Sequence, residues 1–414
     1  MHKYPTKLSV QNDISIWVGV IACWGSLQPW VMWKSSYLPF IVLMMFVCIR
    51  CLVWKGKLSW SSVIDVIFTL GFSFIYSQLF YTSAKGSLYQ TSQAIIPILA
   101  FLTFSELERS IFLKRLINLF SVVGLISLVF FLLHFFVNLP FTISYHPNSY
   151  YPPFKNYLTF VVLQNGDLGW FTRFSSVYTE PGHLGMVSAI LLYINGYTWK
   201  KWQNIVMTVC LIWSFSLAGF MLYFVGLVIY ALAISKNIVT TLIKIIGASI
   251  ILVVIGISFY SPTNDDIVSV KILSRLEIDD SNGIAGNSRN SINFDQYLDK
   301  VQSGSDKWLG IGRDQLGTMF SGTGNSSYKN YILGNGIVGT VGIVLLIGSY
   351  LFCSPSRKGF GLMILLIVSF IQRPYFLWAI ESFPYLAALS VWMIPNEVRL
   401  KGKIKENLSI IKIR

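Results

Sequence analysis

Residues 205–234 read IVMTVCLIWSFSLAGFMLYFVGLVIYALAI and contain no charged side chain. This run is too long for one membrane crossing, because about 20 apolar residues already span the hydrocarbon core. We therefore predict two consecutive helices that turn near Gly219, within Ser216-Leu217-Ala218-Gly219. The whole chain is 54% hydrophobic and 12% charged, whereas soluble domains carry about a quarter charged residues. These values predict an all-α polytopic membrane protein.

The hydropathy pattern predicts about twelve transmembrane helices within one integral membrane domain, residues 1–414. The predicted spans are 14–31, 37–54, 63–82, 88–104, 118–138, 182–198, 203–216, 217–234, 238–260, 331–353, 359–371 and 376–394. The first apolar run lacks a small-residue cleavage site, so we expect it to remain as a span.

The distribution of charge predicts the orientation of these helices. The net charge is +14, and Lys and Arg collect in alternate predicted loops and in the segment 399–414. The short turns on the other side hold only Lys34, Lys85 and Arg373. Cytoplasmic loops show this basic excess. We expect a multi-pass protein of the cytoplasmic (inner) membrane with both termini in the cytoplasm. Its basic residues should contact anionic lipid, and no nucleic-acid partner is expected.

Two long segments, 139–181 and 261–330, then lie on the outer side of the membrane. The second holds nine of the eighteen carboxylates of the chain, together with seven Lys and Arg residues. We expect it to form a large extracytoplasmic loop.

A polar cluster precedes the predicted helix 182–198, in Arg173-Phe-Ser-Ser-Val-Tyr-Thr-Glu180-Pro181-Gly182-His183-Leu-Gly185. Pro181 suits a first helical turn, and Glu180 is placed to accept hydrogen bonds from free backbone N–H groups. A capped helix start with a snorkelling arginine would explain part of this pattern. The combination of Arg, Glu and His at a membrane boundary also predicts a site of chemistry.

A second polar cluster runs from Gly310-Ile-Gly312-Arg313 towards Gly324 and the helix that carries Gly336 and Gly339. Closely spaced glycines allow the backbone to fold tightly around an anion, and arginine can bind phosphate through two hydrogen bonds. The alternatives are an ordinary glycine-rich loop and glycines that allow close helix packing.

The order of these motifs resembles the O-antigen polymerase (Wzy) and O-antigen ligase superfamily. The likeness covers about residues 170–350, with the overall helix count. The motifs that carry it are the Arg173…Glu180-Pro-Gly block, the break Ser216-x-x-Gly219, the large outer loop, and Gly310-x-Gly312 followed by Tyr331 and Gly336-x-x-Gly339.

Two positions depart from the pattern of the superfamily. Asn325-Ser326 stands where ligases carry a His-Asn pair, which favours a polymerase over a ligase. Leu217 follows Ser216, where many members have arginine, so this turn has no cation of its own.

The resemblance implies a membrane-embedded glycosyltransferase of the C type that needs no metal and no cofactor. Such a polysaccharide polymerase, of O-antigen or capsule type, transfers the growing glycan from a polyprenyl diphosphate donor to a lipid-linked repeat unit on the outer face. The implied partners are the polyprenyl diphosphate-linked oligosaccharide, membrane lipids, a chain-length regulator and a flippase.

Each candidate residue is assigned a role by the chemistry of this transfer. Arginines would stabilise the charge that develops on the departing diphosphate, and a carboxylate or histidine would accept the proton of the acceptor hydroxyl. The predicted diphosphate-binding residues are Arg173, Arg313, Arg289 and Arg275, and the predicted catalytic residues are Glu180 and His183.

Three other functions stay open: an O-antigen ligase-like transferase, a lipid-linked oligosaccharide flippase and a non-enzymatic scaffold or sensor. A flippase is expected to have short loops and ionisable residues along a central cavity. The predicted spans contain few such residues, chiefly His134, Asp65 and Arg50, and the loop 261–330 has no use in that mechanism.

Overall fold

The computed structural model of the chain describes residues 10–35, 106–145, 152–158, 161–164, 173–247, 292–312, 327–352 and 356–370, with a few isolated positions between them. These residues are mostly helical. The helices are α1 Val10–Ser26, α2 Glu106–Leu133, α3 Pro181–Asn195, α4 Trp202–Trp213, α5 Leu217–Ile234, α6 Ile238–Gly247, α7 Ile292–Ser303, α8 Ser327–Phe352 and α9 Arg357–Phe370, with short 3-10 turns at Trp30–Ser35 and Ser305–Lys307.

Two of the described helices are long and apolar enough to cross a membrane. They are Glu108–Leu133 within α2 and Leu217–Ile234, which is α5, with mean hydropathies of 2.6 and 2.3. Large apolar side chains on α5, including Met221 and Phe224, are exposed. An apolar surface of this kind suits contact with lipid. The helix α4 has 12 residues, fewer than the about 20 that a straight crossing needs.

Helices α4 and α5 match the spans predicted at 203–216 and 217–234, but the turn between them differs from the prediction. The chain turns at Ser214–Ser216, and Gly219 lies inside α5. Helix α2 begins at Glu106, well before the predicted span 118–138. The predicted spans 63–82, 88–104 and 376–394 lie outside the described residues.

The segment 139–181, predicted as a loop, contains a three-stranded antiparallel sheet. Its strands are β1 Phe141–Ser144, β2 Phe154–Tyr157 and β3 Val161–Gln164, in the order β1-β2-β3. Phe154 is buried against Trp33, with ring centroids 5.1 Å apart. This contact attaches the sheet to the turn that follows α1. Two-residue strands at Ile278–Asp279 and Gly283–Ile284 pair in the segment 261–330.

One end of the helical bundle collects charged side chains. Arg50 donates to both carboxylate oxygens of Glu108 at 3.0 Å, and the two side chains are only 9% and 6% exposed. Arg115, on α2, pairs with Asp13 of α1. Arg50 also donates to Ser15 of α1 at 3.0 Å. Charged hydrogen bonds of this kind are strong and directional, so Arg50 and the Arg115–Asp13 pair together fix how α1 and α2 start side by side.

The opposite end of the same bundle collects aromatic and hydroxyl side chains. Trp24, near the end of α1, donates to the Tyr178 hydroxyl at 3.1 Å. Ser176 donates to Ser127, on the distal half of α2, at 2.8 Å. The chain before α3 is therefore held at the end of the bundle away from the ion pairs.

Candidate functional site

The segment 173–178 lies in the protein interior although its sequence is polar. Phe174, Ser176 and Tyr178 are almost fully buried. The Phe174 N–H donates to the Trp213 carbonyl at 3.0 Å, and the Trp30 N–H donates to the Val177 carbonyl at 2.8 Å. Buried backbone must be hydrogen-bonded, and these bonds meet that need without a sheet. They also fix the position of Arg173.

Arg173 reaches the turn between α4 and α5. Its Nε donates to the Ser214 carbonyl at 3.1 Å. This bond uses one edge of the guanidinium group and ties it to the turn that leads into Ser216, the N-cap residue of α5. Arg173 and the start of α5 thus occupy the same part of the molecule.

Glu180 occupies the N-cap position of α3 with extended backbone (φ −132°, ψ 136°), and Pro181 follows at the first helical position. Its carboxylate makes no capping hydrogen bond, although the Glu180 carbonyl accepts from His183 N–H at 3.1 Å. The sequence predicted that the side chain would be placed to cap the helix. In the structure, the Glu180 carboxylate does not cap the helix.

His183 lies in the first turn of α3 and is 7% exposed. Its ring centroid is 5.8 Å from that of Tyr178. Burial raises the pKa of the Tyr178 hydroxyl, because the charged phenolate is disfavoured away from water. His183 therefore sits beside a hydroxyl that stays protonated, at the same helix start as Glu180.

Helices α3 and α5 approach each other through glycines. A Cβ on Gly219 would lie 2.9 Å from the Gly185 carbonyl carbon, and a Cβ on Gly185 would lie 2.7 Å from Ser214 Oγ. Only glycine allows this contact. The Gly219 N–H donates to Ser216 Oγ at 3.1 Å. The Glu180-Pro-Gly block and the Ser216-x-x-Gly219 break, which are distant in sequence, therefore meet.

These two helices run parallel. Gly185 meets Gly219 near their starts, and Gly196 packs against Tyr230 near their ends. A helix start carries about half a positive charge from its aligned peptide dipoles. Two helix starts thus point to the same side, next to the Arg173 guanidinium. The arrangement is suited to bind an anion, with Glu180 and His183 at its edge.

The second polar cluster forms a backbone junction. Ile311 N–H donates to the Leu333 carbonyl at 2.9 Å, Gly312 N–H donates to the Gly334 carbonyl at 3.1 Å, and Val338 N–H donates to the Trp308 carbonyl at 3.0 Å. Helix α8 is broken at Gly336, which has a φ of 66°.

A Cβ on Gly336 would lie 2.6 Å from the Gly310 nitrogen. The glycines predicted to fold tightly here therefore do so, against each other. Tyr331, earlier on α8, is buried in the same apolar cluster as Tyr178, whereas the junction residues Leu333 and Ile311 pack in a separate cluster with Phe294 of α7.

Among the six predicted site residues, the structure brings together Arg173, Glu180 and His183. Arg275, Arg289 and Arg313 lie outside the described residues, although Arg313 directly follows the junction residue Gly312. Sequence reasoning missed Ser214 and Trp24. Their partners, Arg173 and Tyr178, are 41 and 154 residues away, a distance that no local pattern bridges.

The described residues offer no cluster of three or more His, Cys, Asp or Glu side chains that would hold a metal ion.

Comparisons with known proteins add no relative. No family model, curated protein or solved structure matches this chain. Its function must be argued from the site.

Proposed function

We propose that this protein is an O-antigen or capsule-type polysaccharide polymerase. It would transfer a growing glycan from a polyprenyl diphosphate to a lipid-linked repeat unit on the outer face of the cytoplasmic membrane. The observation that carries the proposal is the meeting of Arg173 with the parallel starts of α3 and α5, beside Glu180 and His183. The order of the sequence motifs supports the same conclusion.

In the proposed reaction, cationic groups stabilise the charge on the leaving diphosphate, and a basic group accepts the proton of the acceptor hydroxyl. The acceptor hydroxyl oxygen bonds to the anomeric carbon of the donor sugar while the bond from that carbon to the diphosphate breaks. The diphosphate leaves with the electron pair, and Arg173 with the two helix starts stabilises its growing negative charge. Arg313, Arg289 and Arg275 are proposed to assist from the outer loop. Glu180 or His183 accepts the hydroxyl proton.

An apolar setting favours this chemistry. Around the site, Phe174 and Leu184 are fully buried, and charge–charge attraction is stronger where water is excluded. The lipid tail of the donor also requires access from the membrane, which the exposed apolar surface of α5 can provide. We propose about twelve spans in all, with both termini in the cytoplasm and the segments 139–181 and 261–330 outside.

The test is extension of a lipid diphosphate-linked repeat unit by the purified protein in liposomes. Formation of a ladder of longer products is the expected result. A deletion strain separates the alternatives. Loss of long polysaccharide with survival of single repeats supports a polymerase, and loss of all glycan on the final acceptor supports a ligase. Repeat units retained on the cytoplasmic side of the membrane support a flippase.

A further inference from the structure

A groove lies between α5 and α9, away from the candidate site. Its volume is about 440 Å³, and its walls include Ile229, Leu232, Phe360 and Ile364. These side chains are apolar, whereas Arg357 stands at one end. From Arg357 to Ile364 the helix rises about 10 Å. The groove is therefore apolar along its length and has a cation at one end.

The helices that form the groove are fixed by close packing. The Tyr193 hydroxyl of α3 donates to the Lys358 carbonyl at 2.9 Å, which sets where α9 begins. Deeper in the bundle, a Cβ on Gly226 would lie 3.3 Å from Leu365. Because α5 and α9 touch at this depth, the groove between the end of α5 and the start of α9 has a fixed floor.

Arg357 lines the groove, and other cations lie near it at the same end of the bundle. Arg357 is exposed, and its Nη1 lies 3.4 Å from the Ser235 carbonyl, next to the exposed Lys236. Lys358 Nζ lies 3.5 Å from the Tyr230 hydroxyl. Partial burial, and then the neighbouring Lys358, lowers the pKa of Lys201. Like charges held this close favour a bound anion.

No carboxylate of these segments balances the cations. Residues 181–247 and 356–370 contain no Asp or Glu, but they contain Lys200, Lys201, Lys236, Lys244, Arg357 and Lys358. The basic segment 399–414 does not complement these cations. An occupant with one anionic group and one long apolar chain does.

We propose that this groove binds an anionic phospholipid, with its phosphate at Arg357 and Lys358 and an acyl chain along Ile229 and Phe360. The first turn of α9 adds its partial positive charge to the phosphate site. The site lies at the end of the bundle opposite Arg173, so the lipid is distinct from the donor. The inference depends on membrane association and not on glycan polymerisation.

The test is displacement of fluorescent phosphatidylglycerol from the purified full chain in detergent micelles. Unlabelled phosphatidylglycerol should displace the probe, and phosphatidylcholine and inorganic phosphate should not. Arg357→Gln should weaken phosphatidylglycerol binding roughly tenfold, the loss expected for one charged hydrogen bond. Ala233→Phe, which fills the apolar groove and keeps every charge, should abolish binding.

The matched control is Lys244→Gln, which removes one exposed cation of α6 outside the groove. It should bind phosphatidylglycerol as the wild type does. Equal displacement by phosphatidylcholine, displacement by inorganic phosphate, an equal loss in Lys244→Gln, or normal binding by Ala233→Phe would each overturn the proposal. If Arg357→Gln aggregates, Lys358→Gln decides the charge requirement by the same criterion.

Discussion

Glu180 begins α3 without using its carboxylate as a cap. Glu180→Gln keeps the size of the side chain and removes no capping hydrogen bond, so the variant should fold with α3 beginning at the same residue. If the carboxylate accepts the proton of the acceptor hydroxyl, extension of the lipid-linked repeat should fall about 100-fold or more. The measurements are the extension rate and the thermal unfolding temperature of the same preparation.

Glu108→Gln is the matched control, because it makes the same chemical change at the other end of the bundle. It breaks the buried pair with Arg50, so a loss of about 3–5 kcal/mol in stability is expected. Wild-type extension by Glu180→Gln would exclude the carboxylate as the base and transfer that role to His183.

Arg173 is held by an Nε–H bond to the Ser214 carbonyl, an orientation that lysine cannot reproduce. Arg173→Lys should therefore reduce extension almost as much as Arg173→Ala. The control is Arg115→Lys, at the ion pair with Asp13, which should retain extension. Near-normal polymer length from Arg173→Lys at normal protein levels would remove Arg173 from the diphosphate site.

At the scale of helices, the contact between α3 and α5 determines how close the two helix starts at the candidate site lie to each other. Gly219→Ala places a methyl group 2.9 Å from the Gly185 carbonyl carbon, so the helices must separate. Overpacking of this kind costs about 1–3 kcal/mol in stability. Because the two helix starts move apart, extension of the lipid-linked repeat unit should also fall.

Gly247→Ala is the control, since its Cβ would meet nothing within 4 Å. It should leave the protein equally or more stable, by about 1 kcal/mol at most. Thermal unfolding of both variants measures the difference, and an unchanged Gly219→Ala would contradict the packing argument.

The sequence predicted α4, α5 and α9 closely because each is an apolar run bounded by polar residues. It missed the first part of α2, ELERSIFLKR, because these charges resemble a loop. In the structure, Arg50 and Asp13 neutralise Glu108 and Arg115 from outside the helix. The strands β1–β3 were also missed, since four-residue strands carry too little periodicity.

The sequence predicted the part of the candidate site whose residues are close together in the chain. Arg173, Glu180 and His183 are close in sequence, so their proximity was expected. The pairing of Gly185 with Gly219 was not, because it depends on α3 and α5 running parallel although α4 separates them in the chain. Helix packing of this kind is set by the whole bundle and not by either motif.

Across the whole molecule, the two ends of the bundle differ in charge, and this difference predicts its orientation. Lys200, Lys201 and Arg357 lie at the end opposite Arg173 and Glu180. Cytoplasmic loops are enriched in such cations. A reporter active only outside the cytoplasm should therefore be active when fused after residue 160, and one active only inside should be active after residue 200. The same reasoning from sequence predicts an outer signal after residue 290 and an inner signal after residue 405.

The decisive fusions are those after 160 and 200, because α3 lies between them and begins at the candidate site. Replacing Lys200 by Gln in the fusion after 200 should weaken the inner signal, since lysines next to a span favour retention of a loop in the cytoplasm. The control replaces Lys155, in β2, which should change nothing. A cytoplasmic signal after 160 would place Arg173 and Glu180 on the side where nucleotide sugars occur. A lipid-linked donor would then no longer be required, and the proposed polymerase reaction would fail with it.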